Sequence, residues 1–376
     1  MPHAFGTWSA YPERVSRHRH PARRRPIATL VASLAGALFA LAPLAGPAAA
    51  EGTDATEEVE EVEVCLCGRL ATVPGEEAFV VAESAVLRRV DGQQRSLVQL
   101  AVRGDASTAL AIFPTPNPAE VSVGDAATMD LVAELAAPEV EEVSRWWPDP
   151  QYFSEQAEEA ATPLEPQEVT TSEVMTTEKG DREALATWIS DAGMAISEEA
   201  QAVVDRYADA GWSFSVVQLT VDGGFDGVLP PIELSFASDR MVQPILFDGA
   251  SSRAVTIRSY VIHEQRIDRD DDLRGGAEVL FAGPISAADT PELQGWLEPY
   301  GGSGYLTLSE QAFTAPATQV TENAYFTGST LPDISRNEVV IVDRMVLGMH
   351  AGPALVGLGL VVIAVAGVVV SRLMRH

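Results

Sequence analysis

Cysteine occurs only twice in the 376 residues, at Cys65 and Cys67. That excludes a disulfide framework of the kind that staples small secreted domains. Histidine is almost as scarce: beyond the first twenty residues only His263, His350 and His376 remain, which removes most metal and nucleophile schemes. The stretch "HEQRI" opens like the zinc motif H-E-x-x-H, but Ile267 stands where the second ligand is needed. A Ser-His-Asp triad would have to use His263, and there is no G-x-S-x-G elbow, since "GGSGY" ends in Tyr305. A lone histidine at a strand end reads as structural. Neither a P-loop nor G-x-G-x-x-G is present, so no motif calls for a cofactor.

Positive charge is the other shortage, with 25 Lys+Arg against 54 Asp+Glu and Lys179 the only lysine. Six basic residues and one acidic residue fall within the first fifty positions, and two basic residues follow Val370. The segment between carries 17 basic and 53 acidic residues, an excess of 36 negative charges. Such a surface repels phosphate backbones and anionic membrane surfaces, so nucleic acid is excluded as a partner. The acidity reads as a solvated surface. Carboxylates are so numerous that spacing alone singles out no glycosidase pair.

What is present points to export. Residues 1–50 combine an Arg/His-rich start, an apolar stretch from Ile27 to Leu44 and small residues ending at Ala50, the layout of a signal peptide cleaved there. Either general secretion or the twin-arginine route would serve, with Pro26 and Ile27 a poor match to the latter. Residues 351–370 form an uncharged run long enough to cross a hydrocarbon core of roughly 30 Å. The basic tail 371–376 then places the C-terminus inside and the N-terminal domain outside a single-pass cell membrane anchor.

Residues 51–64 are an acidic, low-complexity lead-in that cannot bury enough apolar surface to fold alone. The extracytoplasmic domain is expected over 65–346, with a possible internal boundary in the acidic, Pro-containing stretch near 155–167. Apolar runs flanking Asp91-Gly92 predict a hairpin. A helix is expected from Asp125 to Leu135. Two more place Leu185, Trp188 and Ile189, then Ala200, Val203, Val204 and Tyr207, at helical spacing, with Asp181 and Ser197 at their starts. "WSFSVVQLTV" switches apolar parity, which predicts a bulge or a strand buried on both faces. Further strands are expected at "TALAIFPTP", "EVTTSEVM", "PIELSF", "QPILF", "AVTIRSYVI", "AEVLFAG" and "EVVIVD", with a short helix near Glu292–Leu297. Many strands and few helices without strict alternation predict an α+β domain, mostly antiparallel sheet, plus the C-terminal membrane helix.

The motifs "CLCG", "ALAIFPTPNPAEV", "RWWP", "LATWISDAG", "YADAGWSFSVVQL", "PIELSFASDRMVQPI" and "VTIRSYVIHEQRI" follow in order. In that order the chain, from about Cys65 to Val342, resembles the exported bacterial family known as domain of unknown function 2330 (DUF2330). The resemblance implies an exported domain, often with a C-terminal membrane helix. It brings no activity, cofactor or catalytic residue.

Three residue groups are candidates for a site. Asp268, Asp270 and Asp272 have the spacing of calcium ligands, but Leu273 stands where such a loop needs Gly and Val279 where it needs Glu. A solvated loop is the plainer reading. Trp146 and Trp147, with Tyr152 and Phe153 nearby, suit stacking on wall sugars or packing against a sheet. If "EVCLC" is extended, the Cα atoms of Cys65 and Cys67 lie about 6.6 Å apart, the upper edge for a disulfide. Closing so small a loop removes about 1.5 kcal/mol of unfolded-state entropy, a poor staple. The pair fits a passive disulfide, a redox-responsive one, bridges to another chain, or two thiolates for a soft ion such as Cu(I). The expectation is a non-enzymatic binding module for an envelope protein or cell-wall component, the alternative an extracytoplasmic thiol-redox protein or sensor using Cys65 and Cys67.

Overall fold

The computed structural model describes residues 69–147, 164–346 and 348–375. The expected leader and lead-in, Cys65 and Cys67, and most of the 155–167 boundary lie outside the described residues.

Strand β1 (Leu70–Thr72) precedes a long hairpin, β2 (Ala78–Val90) and β3 (Gln93–Gly104). Its two-residue turn is Asp91-Gly92 with φ of 49° and 77°, the left-handed values that make this pair a natural hairpin tip. After β4 (Thr108–Thr115) and β5 (Glu120–Val123), Asp125 caps α1 (Ala126–Leu135), accepting from the Ala127 N–H at 3.1 Å. Strands β6 (Glu139–Arg145) and β7 (Thr170–Thr176) lead to α2 (Arg182–Asp191) and α3 (Glu198–Asp209). Asp181 and Ser197 cap these two by accepting from the N–H of Ala184 and Ala200. Then come β8 (Ser213–Thr220), β9 (Asp226–Val228), β10 (Ile232–Ala237), β11 (Val242–Gln243), β12 (Val255–His263), β13 (Ile267–Arg269) and β14 (Glu278–Ser286). The chain closes with α4 (Gln294–Leu297), β15 (Ser303–Phe313), α5 (Pro316–Gln319), β16 (Ala324–Gly328), β17 (Asn337–Asp343), β18 (Met345–Val346), β19 (Met349–His350) and α6 (Ala351–Leu373).

These elements stack as four layers. A four-stranded sheet, β1-β4-β8-β7, faces an eight-stranded sheet, β14-β15-β12-β2-β3-β10-β5 with β9 beside β3. Alternation along β4 shows how: Ala109, Ala111 and Phe113 point into the core between the sheets, while Leu110 and Ile112 point to α2 and α3. On the far side of the large sheet, Val86, Leu97, Tyr260 and Ile262 pack with α1 and α4 through Val132 and Trp296. Among the described residues the strand pairs are antiparallel except β2 with β12 and β6 with β17. The domain is therefore α+β and mostly antiparallel.

The parity switch in "WSFSVVQLTV" is explained by this stacking. Phe214 and Val216 face the helices, Val217 and Leu219 face the inter-sheet core, and Ser213 to Val217 are all buried. Segment "QPILF" differs from expectation: only Val242–Gln243 is strand, and Leu246–Ala250 is a 3-10 turn. Pro244 has no N–H for a ladder and ends the pairing. Strands β1, β5, β6, β9, β13, β15, β16, β18 and β19 were not foreseen.

Candidate functional site

The inward parity of β2 that carries Ala85 and Leu87 also carries Glu83, so a carboxylate is driven into the inter-sheet core. Arg69, at the start of β1 in the opposite sheet, meets it. One Arg69 Nη lies 2.6 Å from Glu83 Oε2 and 2.9 Å from Asp248 Oδ2, and donates to the Pro244 carbonyl at 3.1 Å. Relative exposures of 2% for Arg69, 1% for Glu83 and 3% for Asp248 make this a fully internal charge cluster. Of the two carboxylate contacts, that to Asp248 is an aligned hydrogen bond. The Glu83 contact is ionic and off axis, leaving Oε2 of Glu83 and Nε of Arg69 without aligned partners within the protein. A cavity of about 10 Å³, room for one water, is lined by Arg69, Glu83, Ser96, Thr115 and Gln243.

Neutral polar groups extend the cluster on both sides. Gln243 Nε2 donates to Glu83 Oε1 at 2.7 Å, and Ser259 Oγ donates to Gln243 Oε1 at 2.6 Å. Near Asp248, the Tyr207 hydroxyl donates to Asn323 Oδ1 at 2.5 Å and accepts from the Leu246 N–H at 3.3 Å. Asn323 Oδ1 also accepts from the Ile245 N–H at 3.2 Å. The Tyr207 ring is held by Trp212, Phe247 and Phe214. Helix α3, the 246–250 turn and both sheets thus meet on one polar network.

Electrostatics follow from one cation between two acids. Burial pushes the Glu83 carboxyl up to about 7, against the pull of Arg69. Burial raises Asp248 as well, with Arg69 opposing. Burial disfavours charge on Arg69, but Asp248 and Glu83 outweigh it and hold the guanidinium charged. Burial also lifts the Tyr207 phenol far above its ordinary range, so it stays a neutral hydroxyl. With both acids ionised the cluster carries an excess negative charge; with one protonated it is neutral.

The residues singled out in the sequence fall elsewhere. Asp268 pairs with Arg266 at 2.8 Å, Asp270 pairs with Arg240 at 3.2 Å, and Asp272 is exposed, its N–H donating to Glu322 Oε1. Each thus has its own setting, and among the described residues no three His, Cys, Asp or Glu side chains gather in a group able to hold a metal ion. His263 ends β12 with Nδ1 accepting from the Gln265 N–H at 3.4 Å, and burial lowers its pKa. It lines an open polar groove of about 290 Å³ with Arg89, Arg240, Gln265 and Asp270. Trp146 and Trp147 are exposed by 43% and 56% at the end of β6. The Gly352 N–H donates to the Trp146 carbonyl at 2.8 Å, so the pair sits at the first turn of α6.

The sequence reading missed Arg69, Glu83, Asp248, Tyr207 and Asn323. The available signal was Glu83, a charge at an inward position of "AFVVAESAVL".

A match to DUF2330, described as an uncharacterized protein conserved in bacteria, spans residues 62–327. The chain belongs to this family. The DUF2330 match takes in the whole charge cluster, from Arg69 to Asn323, and ends before β17 and α6. No curated protein matches the chain. Among solved structures, baculovirus P35 is 9% identical with a TM-score of 0.30, covering 55% of this chain and 75% of that one. A mutated baculovirus P35 after caspase cleavage is 10% identical with a TM-score of 0.27, covering 53% and 75%. At these scores the likeness of this DUF2330 chain to P35 carries no argument.

Proposed function

We propose that this chain is an exported, membrane-tethered ectodomain that binds an envelope protein or cell-wall component without catalysing a reaction. The observation that carries it is α6. Its 23 residues are apolar enough to cross a membrane, its side chains from Leu355 to Val370 face outward from the protein, and its start is bonded to the folded domain. Exposed apolar surface on that scale needs a lipid environment. The basic tail that follows the helix supports an orientation with the domain outside the cytoplasm. The polar groove beside Arg89, Arg240 and His263 is the face we assign to the partner, because it gathers two arginines with Gln265, Asp239 and Asp270 in an open concave surface on an otherwise acidic exterior.

The test is expression of the full chain in a bacterial host, followed by alkaline carbonate extraction, protease digestion of intact spheroplasts and photo-crosslinking from Thr327 in the groove. A carbonate-resistant, externally digestible protein crosslinked to one envelope component is expected. Recovery of the protein crosslinked only to itself counts against the binding reading.

The alternative is thiol-redox chemistry at Cys65 and Cys67, the two cysteines of the chain, one residue apart and four and two residues before Arg69. A Cys65→Ser/Cys67→Ser variant indistinguishable from wild type in thiol exchange and under oxidative stress rules it out.

A further inference from the structure

We infer that Trp146 and Trp147 are membrane-interface anchors that seat the ectodomain on the headgroup layer of the bilayer that α6 enters. The inference rests on the reading of α6 as a membrane anchor and goes beyond it, because an anchor alone leaves a domain free to swing. Here a strand about 200 residues upstream is brought to the helix. Strand β6 pairs in parallel with β17, from Glu139 beside Asn337 to Arg145 beside Asp343, and an Arg145–Asp343 ion pair at 2.7 Å locks the end of the ladder. The next two residues of β6's chain are the tryptophans.

Their geometry at the helix start is close. The Ala351 N–H donates to the Arg344 carbonyl at 2.7 Å and the Gly352 N–H to the Trp146 carbonyl at 2.8 Å. A Cβ on Gly352 would lie 2.7 Å from Cε2 of Trp147, so this ring packs directly on the first turn. The Arg344 guanidinium sits 5.4 Å from the Trp146 ring centroid. The hairpin β18–β19 adds the exposed apolar side chains of Met345, Val346 and Met349 immediately before the helix. Two exposed indoles, three exposed apolar side chains and an arginine therefore gather at the point where the apolar helix begins.

Indoles favour this depth because their apolar body enters the acyl boundary while the N–H stays among headgroups. At 1.5 Å per residue the uncharged run 351–370 is about 30 Å long, matching the hydrocarbon core, with residues 371–373 beyond it. Ala351 and Gly352 then lie at the outer edge of the core, and the Trp pair bonded there lies at the interface. The occupant of this apolar rim is the phospholipid surface itself, fixed by its continuity with α6. Wall sugars, the other stacking partner for an indole pair, are an outcome of the test.

The experiment uses the full chain purified from membranes and reconstituted in phosphatidylethanolamine–phosphatidylcholine vesicles, whose zwitterionic headgroups do not repel the acidic domain, with nitroxide labels placed near the headgroup or deep in the acyl chain. Tryptophan emission should be quenched more by the shallow label than by the deep one, and most of that quenching should vanish in Trp146→Phe/Trp147→Phe. The double variant should still float with the vesicles and keep its thermal midpoint. Wild-type protein that floats but shows no quenching difference from the double variant overturns the inference and leaves the anchor standing. Protein that fails to float overturns the anchor and the inference together. Emission that responds to soluble peptidoglycan fragments but not to the labels assigns the pair to sugar and also overturns it.

Discussion

Arg69 and Asp248, 179 residues apart in the chain, meet through a 2.9 Å hydrogen bond with both side chains buried. Arg69 belongs to the small sheet, Asp248 to the turn under α3, and Glu83, the third charge, to the large sheet. A cluster so placed joins layers that hydrophobic packing alone would let slide. Its members are costly in isolation, because each charge has left water.

Removing the cation should therefore cost more than removing an acid. Arg69→Met leaves two carboxyl groups inside the protein without a counter-charge, a loss of about 3–5 kcal/mol. The variant should show a markedly lower thermal midpoint in detergent. Adding Glu83→Gln and Asp248→Asn to it should recover much of the loss, since the buried charges then disappear together. An Arg69→Met chain as stable as wild type would show that the cluster does not hold the layers.

Stability should also depend on pH with an unusual sign. The Glu83 carboxyl titrates near 4.5 when unfolded and at about 7 when folded, so between those values the folded protein binds more protons. A group raised in this way opposes folding as pH increases: its contribution falls through the window from about 4.5 to about 7 and levels off above it. Asp248, raised in the same direction, reinforces the trend. The thermal midpoint should decline from pH 5 to pH 7.5, and Glu83→Gln should flatten that slope. A flat wild-type profile sinks the assignment.

Tyr207 offers a test on the neutral side of the network. Tyr207→Phe keeps the ring contacts with Trp212 and Phe247 but removes the hydroxyl that donates to Asn323 and accepts from the Leu246 N–H. A buried N–H without a partner costs about 1–3 kcal/mol. Because the phenol stays neutral across the accessible range, this loss should be the same at pH 5 and pH 7.5, unlike the effect of Glu83→Gln.

Much of the fold was legible where its causes are local. The Asp91-Gly92 hairpin and the helix starts at Asp125, Asp181 and Ser197 depend on residues within a few positions of each other, and the structure has all four, each of the three as a cap. The double-sided burial of β8 was visible in its broken parity. "QPILF" misled because its apolar composition suits a strand, while Pro244 stops the ladder after Gln243. The charge cluster and the β6–β17 ladder were hidden for a different reason. The ladder joins segments almost 200 residues apart and Asp248 lies 179 residues from Arg69, while Glu83, close to Arg69 in the chain but in the opposite sheet, announces by its inward position that a partner is needed without naming Arg69.

The coupling between ectodomain and helix can be probed at one glycine. A side chain on Gly352 would begin 2.7 Å from the Trp146 carbonyl oxygen and 2.7 Å from the Trp147 ring, and backbone oxygen cannot move aside cheaply. Gly352→Val should therefore push the helix start off the β6–β17 ribbon while α6 itself stays apolar and helical. Amide exchange measured on the full chain in micelles should rise across Glu139–Arg145 and Asn337–Asp343. Gly357→Val is the matched control, because a Cβ there meets nothing within 4 Å and its exchange pattern should equal that of wild type. Equal exchange in both variants would mean that the ribbon holds without the helix, so the domain would keep its shape but lose its fixed bearing on the membrane.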